Sequence, residues 1–163
     1  SSDVCSSDLV QFDLVLCLGN SLPYVLEPQA LRASLAGLAA MLAPGGRLLI
    51  QYKNFGLMRQ RGECFLPLVT RPAQPPLGEQ VFIRQYHWLP GRVDFTIIRL
   101  EKDPAAGWTQ SHLTTPLATW PPEEVSATLA SLGLHVTPCG SLDLSPFNPA
   151  QSPDIVLLAE KAE

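Results

Sequence analysis

Hydrophobic and polar positions follow two different periods in the first third of the chain. The segment Phe12–Leu18 (FDLVLCL) is almost wholly apolar, which is typical of a strand buried on both faces of a parallel sheet. Four leucines from Leu31 to Leu42 then recur at helical spacing, and Pro44–Gly46 predicts the end of that helix. A second strand is predicted over Arg47–Phe55 (RLLIQYKNF). Strand, helix and strand with short turns predict a right-handed parallel crossover.

The pattern changes after Gly56, where β-rich segments with partial alternation predict the antiparallel strands of a meander. A helix with two acidic residues at its positive amino end follows the meander, and then two more strands. The predicted elements are an irregular loop over Gly62–Gly78, strands over Gln80–Leu89, Arg92–Lys102 and Trp108–Ala118, a helix over Pro121–Leu134, and strands over His135–Asp143 and Asp154–Lys161. The order of elements predicts an α/β fold with an antiparallel β insertion.

Composition narrows the class of protein. With 163 residues, 46% of them hydrophobic and 16% charged, the chain has the composition of one globular domain. A net charge of -4 without any basic cluster argues against nucleic-acid binding. No apolar run approaches the roughly 20 residues that span a bilayer, and no signal peptide is evident. Four cysteines without metal spacing favour a reduced, cytoplasmic protein with no metal and no membrane partner, whereas the oligomeric state stays open.

The first nine residues, SSDVCSSDL, differ from the rest of the sequence. They repeat SSD and contain almost no core-forming residues. Translated back into codons, the peptide resembles a common sequencing adapter joined in frame to coding sequence. We therefore expect residues 1–9 to be an artefact and the natural sequence to begin near Val10, with its upstream part missing. A polar amino-terminal arm is the alternative.

Small hydrogen-bonding residues follow the first predicted strand. Gly19, Asn20 and Ser21 stand at its carboxyl end, the place where ligands bind in open α/β sheets. Glycine allows the backbone to approach a ligand closely, and the asparagine side chain offers both a donor and an acceptor. The alternative for each is an ordinary turn residue.

Three features together resemble a class I S-adenosylmethionine-dependent methyltransferase. They are a strand ending in CLGNS, a helix ending in L-x-PGG, and a strand ending in a polar, aromatic and asparagine cluster. More narrowly, VLCLGNSLPYV and LLIQYKNF are similar to the glycine N-methyltransferase-like branch, and the likeness continues to SPFNPAQSPDIVLLAEK. The resemblance implies that residues 10–163 are the carboxyl-terminal part of a Rossmann-like methyltransferase domain, with strands four to seven of the sheet retained. Residues 63–118 would form the loop and the substrate-side insertion.

The resemblance also implies roles for individual residues. It assigns Leu18, Gly19 and Tyr24 to the cofactor S-adenosylmethionine, and Asn20, Ser21, Lys53, Asn54, Arg84 and Tyr86 to the substrate. Packing and turn roles are the alternatives for these residues, and a solvated side chain is the alternative for Lys53. The glycine-type enzymes have an arginine where this sequence has Lys53. Because lysine supplies the charge without the bidentate fork, this departure puts glycine in doubt as the substrate.

The implied function is methyl transfer to a small molecule, with a nitrogen nucleophile as the expected acceptor. Such a reaction needs few side chains because the cofactor carries the reactivity. We see no convincing general base, and His87, His112 and His135 lack metal spacing. A non-catalytic methyltransferase-like protein that serves a partner interface is the alternative. A nicotinamide oxidoreductase fits the order of elements less well.

The glycine-rich cofactor loop of the family is not found in this sequence, which contains no G-x-G-x-x-G. We therefore expect the chain alone to be inactive and to bind S-adenosylmethionine weakly or not at all. We also expect the first strand to present an exposed hydrophobic edge that promotes aggregation.

Overall fold

A computed structural model describes residues 10–103 and 106–163. The nine residues assigned to an adapter lie outside the described residues. The chain divides into two compact units, one of residues 10–54 with Trp120–Glu163 and one of Phe55–Thr119. Residues 63–118, which were predicted to form an insertion, lie within the second unit, and their role as an insertion stays a prediction. Among the described residues, no helix has the length and apolar character needed to cross a membrane.

Eight strands and three α-helices make up the described part of the chain. In chain order they are β1 (Phe12–Cys17), a 3-10 helix (Leu22–Tyr24), α1 (Pro28–Ala40), β2 (Leu42–Lys53), α2 (Phe55–Gln60), β3 (Val69–Arg71), β4 (Gln80–Leu89), β5 (Arg92–Asp103), β6 (Gly107–Ala118), α3 (Pro122–Ser131), β7 (Leu134–Cys139) and β8 (Asp154–Lys161).

The sheet of the first unit has the strand order β1-β2-β8-β7. β1 and β2 run parallel with Cys17 opposite Ile50, so the predicted strand, helix and parallel strand are confirmed. β8 lies antiparallel to both β2 and β7. The carboxyl ends of β1 and β2 therefore lie side by side, and Asp154 at the start of β8 meets the end of β2 at Lys53.

The two faces of this sheet differ. Leu48, Ile50 and Tyr52 alternate along β2 and are fully buried on the face that α1 and α3 cover. The intervening residues Arg47 and Gln51 are exposed or half-buried on the opposite face. Polar side chains of β2 are therefore collected on one face of the sheet.

Burial of the first strand differs from the prediction. Phe12, Leu14 and Leu16 share one face and are 46%, 54% and 53% exposed, whereas Val15 is 8% exposed. The prediction of a strand buried on both faces was therefore wrong. The reason is that these three side chains lie on the face opposite the one that α1 and α3 cover; β1 is also the edge strand of its sheet among the described residues. Within residues 10–103 and 106–163, no strand pairs with the outer edge of β1, and the expected aggregation at this edge stays a prediction.

The end of the first helix was also predicted wrongly. α1 ends at Ala40, and Pro44–Gly46 lies inside the span of β2. Backbone pairing accounts for the difference, because the Phe12 N–H donates to the Met41 carbonyl at 2.8 Å and the Gly45 N–H to the Ala162 carbonyl at 3.2 Å. Leu42 is fully buried, so it fits the helical period although it begins a strand.

The second unit is an antiparallel sheet of strand order β3-β4-β5-β6, which confirms the predicted meander. The short helix α2 and strand β3 were not predicted, and Phe55 belongs to α2 instead of the preceding strand. Phe55 packs with Met58, Tyr86, Val93 and Leu117 in the core of this unit.

Candidate functional site

The turn after β1 has an uncommon backbone conformation. Gly19 and Asn20 have φ angles of +72° and +64°, both in the left-handed region. Glycine adopts this region freely and asparagine tolerates it better than most residues, whereas other side chains are strained there. The Ser21 hydroxyl donates to the Leu18 carbonyl at 2.7 Å and closes the turn. The predicted Gly-Asn-Ser motif therefore forms a compact turn at the carboxyl end of the strand.

Two hydrogen bonds tie this turn to the end of β2. The Gly19 N–H donates to Oε1 of Gln51 at 2.9 Å. In the opposite sense, the Lys53 N–H donates to Oδ1 of Asn20 at 2.9 Å. The neighbouring strand thus holds the two left-handed residues in place from both sides.

Asp154 connects the two residues of β2 that hold the turn. Its Oδ1 accepts a hydrogen bond from Nε2 of Gln51 at 3.0 Å. The same oxygen forms an ion pair with Nζ of Lys53 at 2.8 Å. The side chains of Lys53 and Asp154 are 38% and 25% exposed, so the pair is partly shielded from water. A polar network thus runs from Asp154 to the turn, and sequence reasoning missed both Gln51 and Asp154.

The network decides which polar atoms the turn offers to a ligand. The Asn20 oxygen is occupied by the Lys53 N–H, so the carboxamide orientation is fixed. Within the described part of the chain, Nδ2 of Asn20 donates to no protein group. The asparagine therefore presents donors, which suit a lone pair on a ligand's oxygen or nitrogen.

The predicted substrate residue Asn54 is buried, with 5% exposure. Its Nδ2 donates to the carbonyls of Pro149 and Ser152 at 3.1 and 2.9 Å, and its N–H donates to the Pro153 carbonyl at 3.0 Å. These bonds fasten the segment before β8 to the end of β2. A substrate contact for Asn54 stays a prediction.

Tyr24 and Leu18 flank the turn along the chain. Tyr24 ends the 3-10 helix and is 56% exposed, while Leu18 is half-buried. The carbonyl of the next residue, Val25, accepts a hydrogen bond from Nε1 of Trp120 at 2.8 Å. The indole thereby fixes the backbone beside Tyr24. The cofactor contacts predicted for Tyr24 and Leu18 stay predictions.

Arg84 and Tyr86 both lie on β4 in the second unit. Nη2 of Arg84 donates to the Pro67 carbonyl at 2.9 Å and so holds the loop before β3. The Tyr86 ring is buried, with ring centroids 5.8 Å from Phe55 and 5.0 Å from Phe95. Both side chains therefore stabilise the second unit, and their substrate contacts stay predictions.

In the first unit, few ionisable groups have a pKa that is shifted from its usual value. Burial raises the pKa of Tyr52 well above its usual range, and the carboxylates of Glu123 and Glu124 raise it further. Burial also raises the pKa of Cys17, which ends β1, so this thiol stays protonated near neutral pH. Across residues 10–103 and 106–163, no group of three or more His, Cys, Asp and Glu side chains is placed to hold a metal ion.

Comparison with known proteins gives structural likeness only. No protein-family sequence profile matches the chain. No curated protein sequence matches it either.

Several solved structures resemble the chain over 94% of its length. One is the sugar N-methyltransferase KedS8 from Streptoalloteichus sp., with a TM-score of 0.72 and 20% sequence identity. Another is the amino pentose methyltransferase CalS10 from Micromonospora echinaspora, with a TM-score of 0.67 and 18% identity. A third is an S-adenosylmethionine-dependent methyltransferase from Clostridium acetobutylicum, with a TM-score of 0.68 and 14% identity.

The chain spans 57% of the first of these proteins and 59% of each of the other two. It therefore has the Rossmann-like α/β fold of these methyltransferases, with an antiparallel β unit, over a little more than half their length. This result confirms the fold class expected from the sequence.

Proposed function

We propose that the chain is the acceptor-side part of an S-adenosylmethionine-dependent methyltransferase that acts on a small molecule. One observation carries the proposal. In a methyltransferase fold, the left-handed Gly19–Asn20 turn is held rigidly at the carboxyl ends of two parallel strands. That edge of an open α/β sheet is where ligands bind.

The proposed reaction needs alignment more than acid–base chemistry. S-adenosylmethionine, when bound, supplies an activated methyl group. The residues of the turn would then orient the acceptor. Gly19, with open space around the position of a Cβ, lets a ligand approach the backbone, and Nδ2 of Asn20 donates a hydrogen bond to the acceptor. Alignment of this kind contributes up to about 7–11 kcal/mol in ideal intramolecular models.

The ion pair beside the turn bears on the class of acceptor. A substrate carboxylate bound to Lys53 would compete with Asp154, which already holds the ammonium group at 2.8 Å. The arrangement favours an acceptor without a carboxylate over an amino acid such as glycine. Two of the similar structures are described as sugar or amino pentose methyltransferases. We therefore propose the amino group of a sugar, a nitrogen nucleophile, as the methyl acceptor.

The proposal includes a further segment beside β1. Among the described residues, no strand pairs with the outer backbone edge of β1, which carries the exposed side chains of Leu14 and Leu16, and additional strands would pair along that edge. In the methyltransferases that the sequence resembles, such strands carry the glycine-rich cofactor loop. The complete enzyme would thus combine that loop with the acceptor-side turn described above.

A methylation assay tests the proposal. The chain, extended upstream with the natural coding sequence, would be incubated with S-adenosylmethionine and a panel of amino sugars, amino acids and simple amines. We expect methyl transfer to an amino sugar and a loss of about tenfold or more in kcat/KM for Asn20→Ala, because an orienting hydrogen bond is removed. An extended chain that binds no S-adenosylhomocysteine would contradict the proposal and favour a non-catalytic role.

A further inference from the structure

The hydrogen bonds between β8 and the turn have a fixed polarity. An ionised carboxylate only accepts hydrogen bonds, so Gln51 must direct its Nε2 toward Asp154. Its Oε1 then faces the Gly19 N–H, at 2.9 Å. Asp154 thereby decides which end of the Gln51 carboxamide meets the turn.

A second connection starts from the same carboxylate oxygen. Oδ1 of Asp154 holds Nζ of Lys53, and the backbone N–H of Lys53 holds Oδ1 of Asn20. Lys53 and Asp154 are also direct partners in the ladder between β2 and β8. Both hydrogen bonds that restrain the left-handed turn therefore come from residues whose side chains contact Asp154.

We propose that Asp154 is a positioning residue of the candidate site, acting through Gln51 and Lys53 on the Gly19–Asn20 turn. The inference deepens the proposed function, and it rests on that function for the ligand that the turn would meet. Asn20, a non-glycine residue in the left-handed region, is strained unless its surroundings hold it. Removing the Asp154 carboxylate frees Gln51 to rotate, and the turn then relaxes and displaces Nδ2 of Asn20.

The chain offers a matched control for this role. Arg47 and Glu160 form a second ion pair between the same two strands, with 2.9 Å between Nε and Oε1. This pair lies at the opposite end of the ladder, and neither side chain bonds to the turn. Asp154→Leu and Glu160→Leu each remove one carboxylate that bridges β2 and β8 and leave no acceptor in its place, and only the first disturbs the hydrogen bonds to Gln51 and Lys53.

Millisecond hydrogen–deuterium exchange read by mass spectrometry tests the proposal on the chain itself. In Asp154→Leu we expect the peptides that contain Gly19 and Lys53 to exchange about five- to tenfold faster, the change expected for the loss of one hydrogen bond. In Glu160→Leu the same peptides should exchange at the wild-type rate. Unchanged exchange in Asp154→Leu, or equal acceleration in both variants, would overturn the proposal.

A second variant covers the case in which Asp154→Leu does not fold. Gln51→Leu removes the connection to Gly19 and leaves the ion pair in place. We expect faster exchange at Gly19 with unchanged exchange at Lys53, and acceleration at neither position would also overturn the proposal. Because exchange needs no ligand, this test is independent of the methylation assay. If exchange shows that the turn relaxes in the Asp154 variant, but the extended chain binds no S-adenosylhomocysteine, the proposed function is rejected and the positioning role of Asp154 is retained.

Discussion

The side chain of Tyr52 in the first unit is buried in a way that destabilises the fold. Its ring is fully buried, and among the described residues its hydroxyl has no hydrogen-bond partner. An unsatisfied buried hydroxyl destabilises a protein by about 1–3 kcal/mol. The nearby carboxylates of Glu123 and Glu124 act with burial to keep the group protonated.

We expect Tyr52→Phe to raise the free energy of unfolding by about 1 kcal/mol at pH 7, because it removes the buried hydroxyl. The pKa of Tyr52 is raised in the folded state, so the unfolded state releases this proton first, near pH 10. Stability of the wild type should therefore fall above pH 10 by about 1.4 kcal/mol per pH unit from this group. Tyr52→Phe should lack that part of the decline.

Urea unfolding between pH 7 and pH 11 measures both effects. Tyr24→Phe is the matched control, since Tyr24 is 56% exposed and should change stability little. A Tyr52→Phe variant less stable than the wild type by 1 kcal/mol or more would show that the hydroxyl forms a stabilising contact.

Individual site residues were predictable from the sequence only where the signal was local. Gly19, Asn20 and Ser21 follow an apolar run directly, so their position at a strand end could be inferred. Asp154 is separated from Lys53 by 101 residues, and nothing near either residue indicates their pairing. Polar Gln51 and Lys53, at alternate positions of an apolar strand, were the available sign of a functional face.

At the scale of elements, the sequence pattern predicted the wrong bounds where backbone pairing with a distant segment determined the structure. β4 and β8 have the predicted bounds because β-branched residues and the flanking turn signals agree there. α1 ends before the predicted Pro44–Gly46 stop because the residues after Ala40 pair with backbone groups at Phe12 and Ala162. The helical spacing of leucines in the sequence contains no information about these backbone hydrogen bonds.

The edge strand β1 gives a prediction at the same scale. We expect the double variant Leu14→Lys with Leu16→Lys to lower self-association of the chain, because charges on an open edge oppose strand pairing. Its free energy of unfolding should change by no more than about 0.5 kcal/mol, since both side chains are exposed. Sedimentation velocity at several protein concentrations measures the association.

Val15→Lys provides the contrast, because Val15 is 8% exposed and a buried lysine should unfold the first unit. If the double variant associates as strongly as the wild type, another surface causes the association.

At the scale of the whole molecule, the order of elements was predictable and the partners across the sheet were not. Alternating apolar segments indicate an α/β chain. The strand order β1-β2-β8-β7 joins segments that are distant in the sequence. The identity of the acceptor depends on side chains brought together by this order, so no single segment encodes it.

We expect the chain by itself to bind S-adenosylhomocysteine weakly or not at all, because the sequence contains no recognisable glycine-rich loop for the cofactor. Isothermal titration calorimetry would measure the affinity. Micromolar binding to the chain would show that the residues described here are sufficient for the cofactor.

The contact between Asp154 and the end of β2 also sets a temporal order during synthesis. A ribosome makes the Gly19–Asn20 turn early, yet the carboxylate that fixes Gln51 and Lys53 is translated only after more than a hundred further residues. A nascent chain that stops before residue 154 carries the complete turn sequence without its anchor. The candidate site can therefore reach its final shape only after the strand that begins at Asp154 has been made.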